Sequence, residues 1–206
     1  QSFNSCAPAM SKDKFEAILS TTIENNYFNL SSNLEATHLF IFVHNVQDVE
    51  SGLYALIRND ADLESLKSSM KEVMLWQKVE SKLPLYFLAG GDVRAIAKRI
   101  SCNQDIAADS HFSLGMIVKF KSSIERNPSA YKHLFWESGL IGQALYLSAE
   151  ACGYQGTGIG CFLDDEMHDL LGLEDNTWQD IYHFTVGEAV VDLRLQTLDA
   201  YHHLSQ

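Results

Sequence analysis

The sequence predicts one domain built on a mixed β-sheet flanked by helices. Short apolar runs typical of strands occur along the chain, and segments with helical periodicity lie between them. The two kinds of segment alternate irregularly, which favours a mixed sheet with helices packed against it. A chain of 206 residues is of ordinary size for a single domain with a substantial core, so we expect residues 1–206 to form one domain.

The N-terminal third contains a helix followed by two strands. Ser11 is a predicted N-cap for a helix that runs to about Glu24, with apolar residues recurring on one face. The continuous apolar run at residues 38–44 is typical of a strand covered on both faces. Residues 52–58 are predicted to pair with this strand as a hairpin.

The remaining elements follow from the same patterns. We expect helices at residues 61–73, 92–101 and 136–152, and strands at residues 85–88, 112–120, 153–162 and 182–187. The helix predicted at residues 136–152 is rich in small residues, namely Gly139, Gly142, Ala144 and Ala149. Small residues at such positions predict close packing, either inside the core or at a subunit interface.

Composition and charge exclude several classes of function. The formal net charge of −12 argues against a nucleic-acid partner, because nucleic-acid binders need a basic surface. The longest apolar runs are too short to cross a bilayer. The first residues contain neither an initiator Met nor a signal-peptide pattern, which predicts an excised or processed part of a longer chain.

The four cysteines are far apart in sequence and form no Cys-x-x-Cys motif. We expect them to be reduced thiols in a cytoplasmic protein. Cys152 and Cys161 lie in apolar contexts and are predicted to be small core residues.

Glycines alternate with larger residues at Gly156, Gly158 and Gly160. One face of the predicted strand therefore lacks side chains, so a flat ligand or another part of the backbone could approach it closely. Two interpretations remain open, a packing accommodation within the protein and a platform for a cofactor. The pattern is not a dinucleotide-binding motif, because it lies within a strand and does not open a helix.

Other polar clusters carry less information. Asp164, Asp165 and Glu166 follow a strand and are expected to begin a helix, where carboxylates are favourable, and we expect no metal there. His133 and Glu137 are four residues apart on the long helix, and the pair predicts a surface or interface contact. No nucleophile motif is present, so the sequence identifies no catalytic residue.

Several segments of the second half together form a recognisable pattern. They are Cys102 to Asp109, Trp136-Glu137-Ser138-Gly139, Gly156 to Phe162, Leu170-Leu171-Gly172-Leu173, His183 to Gly187, and Val191-Asp192-Leu193-Arg194. This pattern resembles the flavin-dependent nitroreductase family, above all the branch of azoline dehydrogenases and its relatives with two such domains in tandem.

The resemblance implies an α+β fold that dimerises through long helices, with an identical chain or a sibling domain as the partner. It also implies FMN bound at the interface. The family reduces FMN with NADH or NADPH and passes electrons to nitroaromatics or quinones, or oxidises a peptide ring in the dehydrogenase branch. Under this resemblance the chain is a flavoprotein oxidoreductase, and it is a fragment or one half of a longer tandem protein.

The resemblance also implies site residues. Gly158, Ile159, Gly160 and Cys161 match the strand that lies against the flavin ring. Arg194 matches the C-terminal basic residue that meets the FMN phosphate. The residues that match the loop contributed by the neighbouring subunit to the same flavin are Ser31, Ser32 and Asn33.

The chain departs from the family pattern at its beginning. Family members start with an Arg-Arg-Ser segment that grips the phosphate, whereas the first basic residue here is Lys12. An alternative function follows from this departure. The chain is then a catalytically idle half that completes the flavin site of a partner domain by dimerisation.

Overall fold

A computed structural model describes residues 2–23 and 36–204, which form a seven-stranded sheet with helices on both faces. The strands are β1 (Thr37–Val43), β2 (Gly52–Leu56), β3 (Gln77–Lys78), β4 (Leu85–Gly90), β5 (Phe112–Lys119), β6 (Gln155–Ile159) and β7 (Trp178–Gly187). The helices are α1 (Lys12–Ser20), α2 (Leu63–Ser69), α3 (Arg94–Ile100), α4 (Asp105–Ala108), α5 (Lys121–Arg126), α6 (Ala130–Ala151) and α7 (Asp164–Leu171). Within these residues no helix is both long and apolar enough to span a membrane.

The strand order is β3-β4-β2-β1-β5-β7-β6. The predicted α+β class is confirmed. The sheet differs in one respect, because neighbouring strands in the described part of the chain all pair antiparallel, not in a mixed arrangement. Short connections such as the one between β1 and β2 reverse the chain direction, and parallel neighbours would need longer crossovers.

β1 lies at the centre of the sheet and separates two hydrophobic cores. Leu39 and Ile41 point into the core under α1 and α6, whereas Phe40 and Phe42 point into the core under α2, α3 and α7. All seven residues of β1 are buried, which confirms the predicted strand with both faces covered. This alternation follows from the period of two along a strand.

The predicted helices are confirmed with changes at their ends. The Ser11 side chain accepts a hydrogen bond from the Lys14 amide at 3.4 Å and caps α1 as expected. The helix predicted at residues 61–73 is shorter, since a 3-10 turn (Asp60–Asp62) precedes it and α2 ends at Ser69. The next residue, Met70, has an extended backbone and a side chain buried in the core.

Glu137 of α6 is buried, so the predicted contact with His133 is wrong. Its carboxylate forms an ion pair with Arg58 and accepts a hydrogen bond from the Thr37 amide at 3.2 Å. The Arg58 side chain also donates to the carbonyl of Thr22 at 2.7 Å. This network joins α6 to β1 and to the end of α1, which fixes the helix on the sheet.

Candidate functional site

β6 is an edge strand of the sheet, and its neighbour among the described strands is β7. The free side of an edge strand presents backbone N–H and C=O groups that the sheet does not use. On β6 the Gly158 amide donates a hydrogen bond to the Tyr146 hydroxyl on α6 at 2.7 Å. The glycine-rich strand predicted at residues 153–162 is confirmed but shorter, since β6 spans only Gln155–Ile159, and it lies directly beside the long helix.

Aromatic side chains of the same chain cover Gly156 and Gly158. A Cβ added at Gly156 would lie 2.7 Å from the Phe184 ring, and one added at Gly158 would overlap the Tyr182 hydroxyl. On α6, Gly142 has the same role, because a Cβ there would lie 3.0 Å from the Tyr182 ring. The expectation of a bare strand face is wrong at these positions, since the missing side chains make room for rings from β7.

The backbone is open at Gly160, two residues after Gly158 and directly past the end of β6. A Cβ added at Gly160 would meet no described atom within 4 Å, and the residue is exposed. The side chain of Ile159 points the other way, into a small apolar cluster with Phe3 and Ile106. Ile159 therefore anchors the end of β6 while the backbone after it faces solvent.

The segment that follows β6 leads into α7. As predicted, α7 begins at Asp164, with three acidic residues in its first turn. Phe162 in this segment stacks on the His183 ring of β7, with ring centroids 4.6 Å apart. This stacking holds the segment after β6 against β7.

A buried polar pair lies under this segment and was not identified from the sequence. His183 and Asp180 approach within 2.6 Å, and both side chains are buried. The absence of a side chain at Gly115 leaves space for them, because a Cβ there would lie 3.0 Å from His183 Nε2. Burial raises the pKa of Asp180, and the nearby His183 opposes that rise. No motif in the sequence signals this pair.

Two cysteines come together at the same place. The Sγ atoms of Cys161 and Cys102 lie 2.6 Å apart, although the residues are 59 positions apart in sequence. Cys161 is exposed, so its predicted role as a core residue is wrong. Cys152 does pack against the core under α6 and is half-buried there.

The remaining predicted site residues are not gathered at β6 by any described contact. Arg194 is highly exposed, and its guanidinium donates two hydrogen bonds to the Asp192 carboxylate, at 2.9 Å and 2.8 Å. Ser31, Ser32 and Asn33 lie outside the described residues.

The outer face of α6 carries large apolar side chains in contact with solvent. Trp136 and Leu147 are each 57% exposed, and Tyr146 is 37% exposed. Gly139 lies on the same face and has no described atom near the position of a Cβ. Of the small residues of α6, Ala144 and Ala149 are buried in the core, as one predicted role requires, whereas Gly139 is open to solvent.

Comparisons with known proteins agree with this architecture. The chain is similar to a protein from Anabaena variabilis described as a nitroreductase, with 23% identity and a TM-score of 0.69 over 91% of this chain and 35% of that one. It is also similar to a chain of the E. coli microcin synthetase McbBCD complex, with 14% identity and a TM-score of 0.65 over 92% and 67% of the two chains.

A third similar structure is the NADPH:FMN oxidoreductase of Vibrio harveyi, with 14% identity and a TM-score of 0.55 over 97% of this chain and 76% of that one. The chain spans about a third of the Anabaena protein. No curated protein sequence matches it. The model of the nitroreductase family matches residues 7–188, which is most of the chain. The chain therefore belongs to the nitroreductase family.

Proposed function

We propose that this chain is an FMN-dependent oxidoreductase that takes electrons from NADH or NADPH. Membership of the nitroreductase family supports an oxidoreductase. A structurally similar protein is an NADPH:FMN oxidoreductase, which supports the choice of cofactor and electron donor. The proposed acceptor is a small nitroaromatic or quinone, or a substrate oxidised as in the dehydrogenase branch.

The observation that carries this proposal is the open backbone at Gly160, directly after the end of the edge strand β6. A planar ring needs a surface without side chains, and Gly160 offers one that no described atom fills. The covered face at Gly158 fits a ring less well, because Tyr182 lies there. We therefore centre the proposed flavin site on Gly160 and Cys161, and not on the middle of β6.

Different residues of the chain would bind the ring and the phosphate of FMN. Backbone groups from Gly158 to Cys161 would hydrogen-bond the ring, and buried Ile159 would keep that backbone in place. Arg194 would bind the phosphate as a permanent cation, once it exchanges Asp192 for the phosphate. Bound FMN supplies the hydride and electron transfer, and the protein supplies binding and orientation.

A second copy or a sibling domain would complete the site. The exposed apolar residues on the outer face of α6 support an interface there, because a partner would bury Trp136 and Leu147. The partner would then contribute its own Ser31, Ser32 and Asn33, as the family resemblance implies. In this arrangement a single chain provides only one wall of the flavin site.

One observation favours the alternative of an idle half. Tyr182 and Phe184 of the chain itself occupy the groove at Gly156 and Gly158, and Asp192 holds the side chain of Arg194. A domain with these features could dimerise and support a partner's site without binding FMN itself. The two functions differ in whether the purified chain takes up FMN.

Substitution at Gly160 tests the proposed site. Gly160→Val places a branched side chain in the open space, so we expect FMN affinity to fall by at least about tenfold, or 1.4 kcal/mol. The matched control is Gln77→Val, an exposed substitution in β3 on the opposite edge of the sheet. FMN fluorescence quenching measures the affinity, and thermal unfolding checks that both variants fold. Equal FMN binding by both variants would remove Gly160 from the site.

A further inference from the structure

Cys102 and Cys161 lie on two loops that other hydrogen bonds hold together. Cys102 follows α3, and Cys161 follows β6. The Leu163 amide donates to the carbonyl of Ile100 at 2.7 Å, and Gln104 Nε2 donates to the carbonyl of Cys161 at 3.0 Å. The two sulfur atoms are therefore brought together by the framework of the loops and not by their own contact.

The backbone at Cys102 is unusual for a residue with a side chain. Its φ angle is 54°, and that of Asn103 is 57°, so two consecutive residues lie in the left-handed region. Glycine would occupy position 102 at a lower conformational cost than cysteine. Strained residues of this kind concentrate at functional positions, and a functional role for Cys102 would fit this conformation.

The two thiols differ in access to solvent. Cys161 is exposed, whereas Cys102 is half-buried beside it. The hydrogen bond shared with Cys161 raises the pKa of Cys102. Their Sγ atoms are 2.6 Å apart, so the two loops already bring the thiols close enough for a disulfide bond to form between them.

We propose that Cys102 and Cys161 are a redox-active dithiol that a hydroperoxide oxidises to an intramolecular disulfide. The disulfide clips the loop between α3 and α4 to the loop between β6 and α7. Disulfides in intracellular proteins are commonly transient and regulatory, and a pair with one exposed thiol, that of Cys161, fits that use. The proposal does not depend on FMN binding, because it rests only on the two loops and their thiols.

The oxidation occurs in two balanced steps. The sulfur of exposed Cys161 attacks one peroxide oxygen and the O–O bond breaks, which gives a sulfenic acid on Cys161 and one molecule of water. The sulfur of Cys102 then attacks the sulfur of that sulfenic acid, and hydroxide leaves with the Cys102 proton as a second water. Two thiols lose two electrons and two protons, and hydrogen peroxide is reduced to two waters. A dithiol reductant reverses the change.

Thiol counting and peptide mapping of the whole chain test the proposal. The reduced chain has four free cysteines, so titration after denaturation should find four thiols before treatment with hydrogen peroxide and two after it. Non-reducing mass spectrometry should identify one cross-linked pair of peptides, containing Cys102 and Cys161. Addition of a dithiol should restore four thiols. The melting temperature of the oxidised protein should rise by roughly 5–15 °C, because the bond closes a long loop.

Three variants make the result specific. Cys102→Ser and Cys161→Ser should each abolish the cross-link and the rise in melting temperature. Cys6→Ser is the matched control, since Cys6 is also exposed, and this variant should still lose two thiols on oxidation. The proposal is overturned if the wild-type protein keeps four thiols under peroxide, or if Cys102→Ser still loses two thiols.

Discussion

The hydroxyl of Tyr146 accepts a hydrogen bond from the amide of Gly158 at 2.7 Å and so joins α6 to the free edge of β6. The Tyr146 ring also packs edge-on against Phe184, with centroids 4.7 Å apart. A ligand that uses the Gly158 amide must therefore displace the hydroxyl of Tyr146. Competition between the protein's own side chain and a ligand is a testable property of this edge.

Removal of the Tyr146 hydroxyl should affect stability and ligand binding in opposite directions. Tyr146→Phe should lower the free energy of unfolding by about 1 kcal/mol, the usual net value of a hydrogen bond. The same change frees the Gly158 amide, so the dissociation constant for FMN should fall, by up to about tenfold. Urea unfolding and FMN titration measure the two effects. Tyr131→Phe, on the same helix, is the control, and weaker FMN binding by Tyr146→Phe would contradict the competition.

The contact between Gly158 and Tyr182 predicts a coupled pair of substitutions. Gly158→Ala forces a Cβ into the Tyr182 hydroxyl and should cost about 1–3 kcal/mol of unfolding free energy. Tyr182→Phe removes the hydroxyl and should recover about 1 kcal/mol of this loss in the double variant. A double-mutant cycle of urea unfolding measures the coupling. Strictly additive effects would mean that the Tyr182 hydroxyl does not lie over Gly158.

The ion pair of Arg58 and Glu137 predicts a large loss of stability. Both side chains are nearly inaccessible to solvent, at 6% and 3% exposure. Glu137→Ala leaves the buried guanidinium without its carboxylate, which should cost about 3–5 kcal/mol of unfolding free energy. Glu64→Ala removes an exposed carboxylate that pairs with Lys67, and its effect should stay within about 0.5 kcal/mol. Similar small losses for both variants would contradict the buried network.

Protonation of His44 predicts how stability depends on pH. Burial and, to a lesser extent, the positive charge of nearby Arg94 together lower the pKa of His44 from 6.5 to about 4. A depressed pKa in the folded state means that the stabilising contribution is present above pH 6.5 and is lost as pH falls through 4. The unfolding free energy should therefore fall by about 3 kcal/mol between pH 7 and pH 4 from this residue alone.

The variant His44→Gln isolates that contribution. Urea unfolding at several pH values should show a flatter dependence between pH 7 and pH 4 than in the wild-type chain. Some dependence should persist, because burial also lowers the pKa of His111. An unchanged pH profile in His44→Gln would show that His44 does not titrate as its burial requires.

Local patterns in the sequence predicted much of the fold. The continuous apolar run predicted a central strand with both faces buried, and β1 is that strand. Ser11 was identifiable as an N-cap because capping depends on neighbouring residues alone. The glycine alternation left a packing accommodation open as one interpretation, and Gly156 and Gly158 show it, because the missing Cβ atoms make room for Phe184 and Tyr182.

Contacts between distant residues could not be predicted in this way. The glycine pattern does not distinguish a ligand from Tyr182, because the ring comes from another strand. Cys102 and Cys161 are 59 residues apart, and Arg58 and Glu137 are 79 apart. Their proximity depends on the order of strands in the sheet, which no local motif encodes.

Visible absorption of the whole protein tests the central claim most directly. We expect the purified chain, after titration with FMN and removal of unbound flavin, to keep the yellow absorption of a bound flavin. That absorption should bleach when NADH or NADPH is added without oxygen, and it should return on addition of a quinone. A folded protein that stays colourless after FMN titration would contradict the proposed oxidoreductase and would favour the idle half.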